Sequence, residues 1–180
     1  ADPARRAMTV LVGLVEVASR GRIRLRSADP RHRPAIDPGY LSDERDGRAL
    51  AAGLKLAREF VTARPMAAIC SSELAPGGHV RSDAELMNYV RSSVVTLYHP
   101  VGTCTMGGDS RWNSVVDLEL RVRGVTGLRV VDASVMPVVP RGNTNAPTIA
   151  IAERAADLIA GRAPLAASDP ADPVDAMVTA

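Results

Sequence analysis

Three histidines, His32, His79 and His99, are the side chains whose ordinary ionisation lies close to neutral pH. His32 stands between Arg31 and Arg33 in a proline-rich crossing and reads as a solvated residue. His79 follows the Gly77-Gly78 turn and reads the same way. His99 has a different setting, Tyr98-His99-Pro100-Val101-Gly102-Thr103, too broken for a helix or a strand. Further along, Pro140 to Pro147 alternates amides with small residues just before a helical pattern. Asn145 is placed there as an N-cap, its side chain able to accept from the first free amides of the helix. Asn143 has no such local task. An amide beside an imidazole can hold a hydroxyl oxygen while the imidazole takes its proton, so His99 and Asn143 are the candidate catalytic pair.

Other chemistries find less support. Cys70 and Cys104 lie outside any C-x-x-C or Cys/His cluster and read as reduced structural thiols, so no metal site is expected. No G-x-G-x-x-G occurs anywhere in the 180 residues, and the pairs Gly77-Gly78 and Gly107-Gly108 read as turns. The formal charge is +2 with scattered arginines, which argues against nucleic acid, since phosphate binding needs a concentrated basic face. No apolar run reaches the roughly 20 residues of a membrane helix. With no leader in the sequence, the expected location is cytoplasmic. Aromatic residues make up only 3%, so the core must rest on Ala, Val, Leu and Ile.

The elements that would position these residues follow from periodicity. Residues 8–17, MTVLVGLVEV, form an apolar run that reads as a strand, and Arg22 to Arg26 alternates arginine with Ile23 and Leu25. The two suggest an antiparallel pair. Residues 28–39, with Pro30, Pro34 and Pro38, read as an extended crossing. Leu50, Leu54, Ala57 and Val61 predict an amphipathic helix over 43–63, capped by Ser42 or Asp43. Ser82-Asp83-Ala84-Glu85 is a capping box opening a helix over 83–93. Residues 114–122 read as extended and Leu128 to Val131 as a short strand ending at Asp132. Thr148 to Ala160 predicts a third helix, with Pro147 at its start and Gly161 after its end. The Ala/Asp/Pro-rich stretch 162–180 reads as a disordered tail.

Four blocks then carry a resemblance: His99-Pro-Val-Gly-Thr-Cys-Thr-Met-Gly107, Val116-Asp-Leu-Glu-Leu-Arg-Val122, Gly127-Leu-Arg-Val-Val-Asp-Ala-Ser134 and Gly142-Asn-Thr-Asn-Ala-Pro147. In order and spacing they resemble the glucose–methanol–choline (GMC) oxidoreductases, over about residues 15–161, in a choline dehydrogenase-like form with the particular alcohol left open. The resemblance implies an FAD enzyme, a dehydrogenase or oxidase, that takes an alcohol to a carbonyl compound. It makes His99 the base and Asn143 its partner. It makes Asp132, Ala133, Asn145, Pro147 and Thr148 flavin contacts. It further implies an α+β fold, an antiparallel sheet with helices on one face, over residues 1–110. Residues 111–161 then return a strand and helix to an FAD-binding α/β sheet. The glycine-rich FAD-binding half of such an enzyme is absent from these 180 residues and stands as the expected partner, beside a small alcohol substrate. Alone, the chain is expected to be inactive and prone to self-association through uncovered apolar surface at Val130, Val131, Ile151, Leu158 and Ile159. A lyase on the same scaffold and a non-catalytic remnant that binds a ligand or partner are the competing readings.

Overall fold

A computed structural model of the chain describes residues 7–111 and 113–164. It is α+β: strands β1 (Arg22–Arg24) and β2 (Ala35–Asp37), and helices α1 (Glu44–Thr62), α2 (Asp83–Ser93) and α3 (Asn145–Ile159). Short 3-10 turns lie at Met66–Ala68 and Ala133–Val135. The chain divides into two compact units. The first runs up to Thr103 and includes Val138–Thr144; the second holds Cys104–Pro137 and the chain from Asn145 onward. The stretch 165–180, most of the expected tail, lies outside the described residues.

In the first unit the antiparallel partner of β1 is β2, with Arg22 opposite Asp37 and Ile23 opposite Ile36. The expected partner, residues 8–17, joins no ladder. Val12 lies against α1 instead, and Val10 to Leu14 line an open groove with Ala49, Gly53, Leu56 and Phe60, where Leu11, Leu56 and Phe60 stay exposed. Gly53 explains the approach: a Cβ there would sit 2.4 Å from Val12 Cγ1. A glycine inside a helix costs roughly 0.5–1 kcal/mol, and here close contact with Val12 offsets it. The sheet is thus smaller than expected, and both of its strands are largely exposed.

Helix α1 begins as its sequence predicts. Asp43 is the N-cap and accepts from Arg45 N at 2.9 Å. The capping box of α2 is complete: Ser82 Oγ accepts from Glu85 N, and Glu85 Oε2 accepts from Ser82 N at 2.9 Å. The Ser82 and Arg81 amides and the Ser82 hydroxyl, all donating to it, hold the exposed Glu85 carboxyl down at about 2. Between the helices Ala51, Leu86 and Val90 form the buried core, flanked by Leu41, Leu50, Leu54 and Val80.

In the second unit the extended segments predicted at 114–122 and 128–131 make single bridges, Val116 with Val122 and Arg121 with Arg129, not a continuous strand. Sharp turns leave no length for a ladder, since Leu120, Gly124 and Gly127 all have positive φ within eight residues. Val116, Leu120, Val135 and Ala155 form the core. Val130, Val131 and Ile151, expected to lie uncovered, pack against it. Of that patch Ile159 stays exposed, and the larger uncovered apolar surface is on the first unit, at Leu11, Leu56 and Phe60. Helix α3 starts three residues earlier than predicted. Pro147 falls within its first turn, where a missing N–H breaks no helical bond. Asn145, expected as the N-cap, is the first helical residue.

Candidate active site

His99 is set by the chain on either side of it. After α2 ends at Ser93 the backbone extends and then turns at Tyr98, whose φ is +63° and whose amide donates to Thr96 Oγ1 at 2.9 Å. A left-handed tyrosine is an uncommon conformation, and here it re-aims the chain immediately before the histidine. Pro100 follows and restricts His99 to extended backbone. The imidazole is half-buried, and its Nδ1 lies 3.1 Å from Thr144 Oγ1.

Thr144 is 9% exposed and closes the segment Val138–Thr144, which belongs to the same unit as His99. That segment is tied at Arg141, whose Nη2 donates to Glu16 Oε2 at 2.6 Å. Glu16 in turn lies beside Ala18 and Ser19, whose amides donate to the Asp46 carboxylate of α1 at 3.0 and 2.8 Å. Asn143 is exposed and adjoins Thr144, so its Cα lies about 3.8 Å from that of the residue His99 touches. His99 thus reaches the chain neighbour of Asn143, a threonine that sequence reasoning passed over. Thr144 stands between the two amides singled out, and its contact spans 45 positions of chain, so no local pattern marks it.

The remaining predicted residues belong to the second unit. Asp132 caps the turn Ala133–Val135, and its Oδ1 accepts from both the amide and the hydroxyl of Ser134. Ala133, half-buried, opens that turn. The same turn receives Cys104 N at Ser134 O (3.0 Å) and Met106 N at Val135 O (2.9 Å). Gly107 ends this run, buried, with its carbonyl accepting from Arg123 Nη2 at 2.8 Å. Asn145, Pro147 and Thr148 all lie in the first turn of α3, which carries no acidic residue. The positive end of α3 is thus uncompensated by a carboxylate of its own first turn. Among the described residues no cluster of His, Cys, Asp or Glu could hold a metal ion, and no helix is long and apolar enough to cross a membrane.

His99 presents a half-buried imidazole bonded at Nδ1 to Thr144, with the exposed Asn143 next to that threonine in the chain. The GMC oxidoreductase family model matches residues 17–152, well over half of the chain, and the chain belongs to that family. It is 51% identical over 151 residues to an alcohol dehydrogenase [acceptor] of Pseudomonas putida, a match covering 84% of this chain and 27% of that protein. It is 47% identical to the mitochondrial choline dehydrogenase of Mus musculus, covering 86% of this chain and 26% of that protein. Among solved structures, pyridoxine 4-oxidase from Mesorbium loti superposes with a TM-score of 0.74 at 36% identity, over 83% of this chain and 29% of that one. The chain thus spans about a quarter of the length of the curated relatives it matches.

Proposed function

We propose that residues 17–152 form the substrate-facing part of an FAD-dependent alcohol oxidoreductase, a dehydrogenase or oxidase that converts an alcohol to a carbonyl compound. The observation that supports this reading is the bond from His99 to Thr144, the chain neighbour of Asn143, within a chain of this family. FAD-binding residues absent from residues 17–152 complete the enzyme in this reading.

The residues present suit a flavin. The first turn of α3 offers backbone amides with no acidic side chain among them, matching an electron-rich ring. Asp132 spends Oδ1 on Ser134, and Oδ2, which neither bond uses, is an acceptor for a sugar-chain hydroxyl. Asp132, Ala133, Asn145, Pro147 and Thr148 would hold the group. When bound, FAD supplies the two-electron oxidant for the alcohol.

His99 does the proton chemistry. Nδ1 is engaged by Thr144, so Nε2 is the nitrogen that takes the substrate's hydroxyl proton. The Asn143 side-chain N–H donates to the same oxygen, fixing its position and steadying the charge that builds as the proton leaves. The test is made on the flavin-loaded enzyme. His99→Ala should cut reduction of the flavin absorbance by a panel of primary alcohols roughly 100-fold or more, with flavin content unchanged. Turnover like that of wild type in this variant would remove His99 from the chemistry.

A further inference from the structure

We propose that Thr144 is a positioning residue that sets the tautomer of His99: the ring's Nδ1–H donates to Thr144 Oγ1, leaving the lone pair on Nε2. The inference rests on the reading of His99 as the base and deepens it. A base at Nε2 must carry its own proton at Nδ1, and which nitrogen is protonated follows from the bond the other one makes. A hydroxyl oxygen has two lone pairs and can accept here.

Three features suit Thr144 to this task. Its side chain is buried, so water competes little for the contact. Its β-branched side chain is stiff about χ1, which holds Oγ1 in place. Within its own unit the segment it closes makes a further tie three residues back, where Arg141 Nη2 donates to Glu16 Oε2. Pro100 meanwhile limits the backbone of His99. The tie at Nδ1 therefore decides both where the ring points and which nitrogen is basic.

The first experiment is long-range ¹H–¹⁵N NMR on the full 180-residue chain with labelled histidine, at a pH where the imidazoles are neutral. His99 is assigned by loss of its signals in His99→Gln. The expected spectrum has Nδ1 in the protonated range and Nε2 in the lone-pair range. In Thr144→Val, of matching shape, that preference should be lost; Thr144→Ser should restore it. In the flavin-loaded enzyme Thr144→Val should lower kcat about tenfold, the worth of one hydrogen bond, with KM little changed and Thr144→Ser recovering most of the rate. A wild-type His99 with its proton on Nε2 overturns the proposal without any variant having to fold. So does a folded Thr144→Val with wild-type kcat. Failure of the underlying reading shows separately, as His99→Ala turning over like wild type.

Discussion

Asp46 is the least exposed acidic side chain described, at 4%, and it reaches the site only through other residues. Its carboxylate, in the first turn of α1, accepts from Ala18 N at 3.0 Å and Ser19 N at 2.8 Å. Those bonds hold the stretch whose Glu16 pairs with Arg141, two residues from Asn143. Asp46→Ala removes the acceptor of both amides. A hydrogen bond to a charged group is worth roughly 1.5–3 kcal/mol, and taking the lower end for each gives a loss of about 3 kcal/mol. With an unfolding slope of about 2 kcal/mol per molar urea, the midpoint of the first unit should fall by about 1.5 M. Asp46→Asn, which keeps one acceptor and presents an NH₂ to the other amide, should lose roughly half as much. Burial raises the Asp46 carboxyl, but bonds from the Ser19 hydroxyl and the Ala18 and Ser19 amides together outweigh it, so the folded group titrates below its ordinary value. A carboxyl depressed on folding adds stability above its unfolded value of about 3.9, and the gain drains away as pH falls through the folded value. The difference between wild type and Asp46→Ala should therefore be complete at neutral pH and shrink below about pH 4. The assay is urea unfolding followed by circular dichroism across that range. A midpoint within error of wild type at neutral pH would refute the reasoning, and so would a deficit that stays constant in acid.

Two further perturbations separate packing from chemistry. Gly107→Ala would place a Cβ 2.9 Å from both Arg111 Cβ and Ser114 Cβ, neither of which is the far end of a flexible chain. The second unit should lose about 1–3 kcal/mol, read as a lower melting temperature; an unchanged melt would mean that this loop gives way freely. Asn143→Ala, at an exposed position, should leave the melt alone and slow flavin reduction by alcohol roughly 100-fold in the loaded enzyme. Unchanged reduction kinetics would return Asn143 to a structural role.

What could be read from the sequence was what local chemistry determines. The Ser82–Glu85 box specifies its own geometry within four residues, and α2 spans Asp83–Ser93 as that box and the apolar spacing predict. Asp43 likewise marks the start of α1. The strand partner was not legible, because 8–17 is as apolar and β-branched as any strand. The decision belongs to Gly53, forty residues away, which lets Val12 sit against a helix. Nor was the covering of Val130 and Val131, which depends on Leu120 accepting from Val130 N across a turn with three positive-φ residues. The site divides the same way. His99 and Asn143 stand out by residue type and setting, whereas Thr144, which touches His99, is one small hydroxyl among many. The contacts around these residues run from Asp46 to Ser19, from Glu16 to Arg141 and from Thr144 to His99, each bridging 27 residues or more. Periodicity and capping rules act over a turn or two and cannot register such ties. A proton-transfer site on loops nonetheless requires them, since an imidazole placed an ångström away from its hydroxyl loses most of its advantage. The residues proposed for the chemistry therefore stand out in sequence, while the long-range ties around them became visible only once the chain was folded.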